Sequence, residues 1–177
     1  MAVVHFDAHL DTWDTYFGAA YTHGTPFRRA SEEGLLDRSG CLHVGIRGPL
    51  YTGADLTEDS ELGFQVVAAL EAEELGVAGL VERIIHRVGD RPVYVSVDID
   101  VLDPAFAPGT GTPEPGGMTS LDLLWAAREI ASRVDLVGAD VVEVLPAAVG
   151  SADITALVAE RTVRELLTGI AVRRQAL

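Results

Sequence analysis

The stretch Val3–Asp14 reads VVHFDAHLDTWD, and its order decides how the chain is built. A β-rich apolar run carries His5, Asp7, His9 and Asp11 at a strict spacing of two. Side chains alternate along an extended chain, so this spacing turns all four to one side. A solvated surface has no need of two imidazoles and two carboxylates in that order. The run reads as a buried strand whose carboxyl end carries chemistry.

A second stretch repeats the pattern. Arg91–Pro104 reads RPVYVSVDIDVLDP, an apolar run that ends in Asp98 and Asp100. Three further apolar runs, Leu42–Ile46, Phe64–Val67 and Leu136–Val142, read as strands. Together with Val3–Phe6 and Val93–Val97 they are continuous rather than alternating, as strands buried on both faces are. Helical patterns lie between several of them. Thr25-Pro26 opens one and Gly34 closes it. Residues 77–90, VAGLVERIIHRVGD, form an amphipathic pattern stopping at Gly89. Thr119 and Asp122 stand at capping-box spacing before LLWAAREIASR. A last helix is expected from Ser151 to Arg173. Strand-helix alternation predicts an α/β fold, a mostly parallel sheet flanked by helices. No repeat or low-complexity linker interrupts it, so residues 1–177 read as one domain.

Composition narrows the function classes. The chain carries 13 basic residues against 27 acidic ones, a net charge of −14, which argues against a nucleic-acid partner. No apolar run approaches the roughly 18 residues of a membrane span, and no leader precedes the first strand, so a cytoplasmic location is expected. Cys41 is the single cysteine, which rules out an intrachain disulfide and reads as a small buried apolar residue.

In parallel sheets ligands gather at the carboxyl ends of strands. Asp7, His9 and Asp11 at one strand end and Asp98 and Asp100 at another would crowd four carboxylates and an imidazole together. Protonation, hydrogen bonds or metal ions would relieve their repulsion. A carboxylate-rich set with imidazole suits a hard divalent ion such as Mn²⁺. Two such ions sharing carboxylates hold a hydroxide between them at neutral pH. His5, deeper in the strand, reads as a buried or supporting residue. His43 and His86 read as structural or exposed.

HFDAHLDTW (5–13), THGTPFRRA (22–30), SVDIDVLDPAFAPGTGTPEPGG (96–117) and DVVEVLP (140–146) occur in this order. Together they resemble the ureohydrolase family of arginases and agmatinases. The first two are most similar to its agmatinase branch, which includes guanidinobutyrase and proclavaminate amidinohydrolase. The resemblance implies an arginase-like three-layer α/β sandwich. It implies two Mn²⁺ ions per active site and hydrolysis of a small cationic guanidino substrate to urea and an amine. Asp7 and Asp98 would bridge the metals, Asp11 would bind one, and His9 and Asp100 the other. His23 would match the proton-shuttle histidine, Asp11 would pass a proton, and Glu143 would pair with the substrate guanidinium. A homo-oligomer is implied as well. Glu114, in the Gly- and Pro-rich loop, is expected to face the substrate channel. That loop lacks the lysine of a phosphate-binding loop and reads as a rigid turn beside the metals.

Three departures from the family pattern stand out. Family members carry an earlier Gly-Gly-Asp-His motif whose histidine binds metal, and no such motif occurs in this sequence. The chain is therefore expected to lack the family's N-terminal part. One metal site would keep Asp7, Asp11 and Asp98 without its imidazole, while Asp7, His9, Asp98 and Asp100 would complete the other. The alternative is a catalytically impaired fragment or subunit. Exposed apolar surface and self-association are expected of the chain alone. Trp13 replaces the asparagine of arginases, which favours agmatine or 4-guanidinobutanoate over arginine unless the ring serves core packing. Residues 147–153, AAVGSAD, replace an acidic or His-bearing loop.

Overall fold

The computed structural model describes residues 1–145 and 153–176. Five strands, β1 (Ala2–Phe6), β2 (Cys41–Ile46), β3 (Phe64–Ala68), β4 (Pro92–Asp98) and β5 (Asp135–Val142), form one sheet in the order β3-β2-β1-β4-β5. Every pairing is parallel. Helices α1 (Pro26–Glu32), α2 (Ala54–Leu62), α3 (Ala69–Val88), α4 (Ser120–Arg133) and α5 (Ile154–Ala176) supply the connections and flanks. All five expected strands are present.

The two faces of β1 bury different things. Ala2, Val4 and Phe6 join Leu80, Ile84, Leu123, Ile130 and other apolar side chains of α3 and α4 in the larger core. Val3 points the other way, into a smaller core with Cys41, Leu62 and Phe64 that Phe27 of α1 packs against. The sheet is thus the middle of three layers. His5 lies on the second face, register-paired with His43 of β2.

Helix boundaries follow local chemistry. Pro26 stands in the first turn of α1, and Thr119 caps α4 by accepting from Asp122 N–H. The pattern expected from Val77 is the second part of α3: a break at Gly76, with φ of 64°, joins it to an earlier turn. Sequence reading missed α2. Its buried residues are Asp59 and Leu62, so it shows no apolar stripe. β5 also differs from expectation: it alternates between exposed and half-buried instead of being covered on both sides. It is an edge strand, and Val137 and Val142 stand exposed.

The order β3-β2-β1-β4-β5 reverses direction between β1 and β4. A crevice forms at such a reversal, outside the carboxyl ends of the two strands. Asp7–Asp11 and Asp98–Asp100 arrive at that place. The AAVGSAD stretch lies outside the described residues except for Asp153. No described helix is long and apolar enough to cross a membrane.

Candidate metal centre

β1 pairing continues one step past its end, with Asp7 N–H donating to Val44 O. The chain then bends. Ala8 O accepts from the N–H groups of Arg47 and Gly48, and Asp11 adopts a left-handed φ of 54°, which aspartate tolerates better than most residues. At the end of β4, Asp98 stays extended while Ile99–Val101 form a 3₁₀ turn. Asp98 Oδ1 accepts Asp100 N–H at 2.9 Å. Strict strand alternation therefore accounts for His5 and Asp7 only. The later donors converge because carboxylates accept backbone N–H groups in tight turns.

The convergence is close. Asp100 Oδ1 accepts Ala8 N–H at 3.0 Å, tying the two strand ends together. His9 Nδ1 lies 3.0 Å from Asp100 Oδ2 and 3.3 Å from Asp7 Oδ1. Thr112 of the Gly- and Pro-rich loop donates its hydroxyl to Asp100 Oδ2 at 3.1 Å. Among the described residues, two groups of donor atoms each lie within 4.8 Å of one another: His5, Asp7 and Asp11, and Asp7, His9 and Asp100. Asp7 is common to both. Asp98 belongs to neither group, although it feels the charges of Asp7, Asp100 and Asp11.

Electrostatics show the strain of this crowding. Burial, then the charges of Asp7 and Asp100, push the Asp98 carboxyl up to about 10. Burial and the Asp7 charge raise Asp11 to about 7. Burial alone would lower His9, yet Asp100 and Asp7 raise it to about 10. Burial pushes Asp7 up as well, but His5 and His9 outweigh it and hold this carboxyl below the usual range. Asp7 Oδ2 is buried without a hydrogen-bond partner. His5 Nε2 comes within 2.8 Å of it, the ion pair through which the His5 charge acts on this carboxyl. A buried carboxylate oxygen without a donor costs stability unless a cation completes it. The residues present fit a divalent ion.

Two features frame the donors. Gly48 leaves room for the His9 ring, since a Cβ there would fall 2.5 Å from His9 Cδ2. Arg47 reaches over the 3₁₀ turn and donates to the backbone carbonyls of Asp100, Leu102 and Glu114. Neither was foreseen from sequence. A lone arginine past a strand end, in GIRGPL (45–50), was the available signal.

The remaining expected residues lie outside this knot. His23 is exposed and packs edge-on against Tyr16, ring centres 5.1 Å apart. Glu143 follows β5, exposed, with a left-handed φ of 56°, and its carboxylate lies beside Gly111. Glu114 is half-buried and its backbone carbonyl serves Arg47. Trp13 is half-buried against Tyr51, ring centres 4.9 Å apart. His43 is buried and structural, and His86 is exposed.

Residues 1–169 match the family described as the Arginase family. Guanidinopropionase of Pseudomonas aeruginosa is 54% identical over 169 residues, covering 94% of this chain and 52% of that protein. The solved structure of proclavaminate amidinohydrolase from Streptomyces clavuligerus aligns with a TM-score of 0.88 at 46% identity, over 98% of this chain and 56% of that one. Arginase from Bacillus caldovelox aligns with a TM-score of 0.79 at 26% identity, over 95% of this chain and 60% of that one. The chain spans about half the length of the curated relatives it matches.

Proposed function

The chain belongs to the arginase family, and from that premise we propose that it carries the metal centre of an Mn²⁺-dependent amidinohydrolase. The substrate is a small cationic guanidino compound, and the products are urea and an amine. The observation that supports this most is Asp7: a buried carboxylate, one oxygen without a hydrogen-bond partner, shared by two groups of His and Asp donors. Oxygen donors with imidazole favour a hard divalent ion over one that seeks thiolates.

Asp7, His9, Asp11, Asp98 and Asp100 would hold two such ions. When bound, they would lower the pKa of water and supply a nucleophile near neutral pH. The chain's own residues do the rest. Glu143 pairs at two points with the planar guanidinium and sets its carbon toward the centre. Water oxygen bonds to that carbon, and Asp11 takes the proton released. The bond from carbon to the alkyl nitrogen breaks, and the amine leaves with a proton delivered by His23. Trp13 and Tyr51 offer an aromatic wall to a short aliphatic tail. The names guanidinopropionase and proclavaminate amidinohydrolase fit such substrates, and agmatine and 4-guanidinobutanoate belong to the same class. Exposed Val137 and Val142 on the edge strand favour a homo-oligomer.

The test is urea release by the purified chain with Mn²⁺, across 3-guanidinopropionate, 4-guanidinobutanoate, agmatine and arginine. Urea from one of the first three, lost with a chelator and restored by Mn²⁺, supports the reading. Bound Mn²⁺ with no urea from any guanidino compound sinks it and leaves a metal-binding chain without turnover.

A further inference from the structure

Asp11 reaches the centre through a backbone conformation that needs support. Its φ of 54° lies in the left-handed region, which an L-residue enters at a cost. Such a conformation persists only where its surroundings over-determine it. Around Asp11 those surroundings are two helices, α1 and α2, which grip the backbone at residues 11 and 12.

The first grip comes from α1. Phe27 N–H belongs to its first turn, where an amide has no partner within the helix, and donates to Asp11 O at 3.4 Å. Arg28, the next residue, donates its Nε–H to Thr12 O at 2.8 Å. The second grip comes from α2. Asp59 is completely buried, and its Oδ1 accepts the Thr12 hydroxyl at 2.9 Å. His43 Nε2 lies 3.1 Å from the same oxygen and braces it against β2. Glu58, beside Asp59 in sequence, pairs with Arg28 at 2.6 Å. Trp13 N–H donates to Gly24 O at 3.1 Å. Three consecutive residues, 11 to 13, are therefore held from outside their own segment. Thr12, only 4% exposed, is held at both its carbonyl and its side chain.

We propose that Thr12 and Arg28 are positioning residues: braced by Asp59 and Glu58, they hold Asp11 in the left-handed turn that brings its carboxylate within 4.8 Å of the Asp7 and His5 donor atoms. This rests on the metal reading above and names the residues that keep one of its donors in place. Partners one step behind a metal ligand set the ligand's orientation, and a site loses affinity when they are removed. The polar inward side of α2 has its task here, as the anchor of the residue that follows Asp11.

Thr12→Val keeps the outline of the side chain and removes its hydroxyl, whereas Thr12→Ser keeps the hydroxyl. In Mn²⁺ titration calorimetry of the whole chain, affinity should fall about 10- to 100-fold in Thr12→Val and stay within about twofold of the parent in Thr12→Ser. Hydrogen exchange of the metal-free chain gives a second readout: the Phe27 amide should exchange roughly tenfold faster in Thr12→Val, as local opening frees it from Asp11 O. Unchanged affinity in a folded Thr12→Val, or a Thr12→Ser as weak as Thr12→Val, overturns the proposal. Where Thr12→Val does not fold, Arg28→Lys carries the test. Lysine can reach Glu58 but lacks the fork that serves Thr12 O as well. The same fall is then expected, and unchanged affinity overturns the proposal. If the parent takes up no Mn²⁺, the metal reading falls while Phe27 exchange still decides the clamp. A faster rate in Thr12→Val upholds it, and an equal rate overturns it.

Discussion

Gly48 and His9 are in van der Waals register: any side chain at position 48 would occupy the space of the His9 ring, beginning 2.5 Å from Cδ2. The imidazole is thus positioned partly by a missing methyl group on a neighbouring strand's exit loop. Gly48→Ala should displace the ring from Asp7 and Asp100 while leaving the sheet intact. Mn²⁺ affinity should fall at least tenfold, as it does when the support of a metal ligand is lost. Titration calorimetry with Mn²⁺ reads this, and unaltered affinity would show that the ring has another place to go.

Arg47 joins the turn after β4 to the loop at Glu114 through backbone carbonyls alone. Lysine carries the charge but cannot reproduce the planar fork. Arg47→Lys should leave carbonyls short of donors and cost about 2 kcal/mol. The same change should loosen Asp100, whose own carbonyl is one of the acceptors. Urea denaturation of the metal-free variant measures the loss, and a midpoint equal to that of the parent would mean the clamp is dispensable.

Glu143 is exposed. Glu143→Gln should keep the melting temperature and the bound Mn²⁺ and raise KM for a guanidino substrate tenfold or more, since the charge-assisted pair is gone. Steady-state kinetics beside a thermal melt separate these. An unchanged KM would remove Glu143 from substrate binding.

Tyr94 donates its hydroxyl to Asp140 at 2.8 Å, beside Ser96, which donates to the same carboxylate at 2.7 Å. Burial and the Asp140 charge push the phenol up to about 12, against about 10 in an unfolded chain. The folded state therefore holds this proton more tightly. The stability it contributes is present in full below pH 10 and is lost as pH rises through 12. Comparing alkaline unfolding of the parent with Tyr94→Phe tests this, and identical curves would contradict it.

Much of this was legible in the sequence because two buried strands end in carboxylates. The runs before Asp7 and Asp98 are mostly apolar, broken by His5 in one and by Tyr94 and Ser96 in the other, which marks them as central strands, and the acids after them mark the crevice. What could not be read is what depends on pairing. His43 faces His5 only because β2 lies beside β1 in the observed register, and one chain's pattern does not reveal its neighbour. α2 escaped for a related reason: its inward contact is polar, Asp59 toward His43 and Thr12, so no apolar period announced it. Turn geometry after Asp98 was hidden too, since D-x-D reads as extended until the 3₁₀ turn is seen.

The two-sidedness of β1 has an evolutionary corollary. Its even positions, Ala2, Val4 and Phe6, seat helices, while His5 and Asp7 face chemistry. Volume-conserving swaps among the even positions act on the core alone, and cores absorb such swaps at little cost. Drift in packing and drift in ligation can therefore proceed as separate lineages of change along one five-residue strand. Insertion of a single residue between Phe6 and Asp7 would end that independence, because Asp7 would turn to the side of Val4 and Phe6 while the core positions stayed in place.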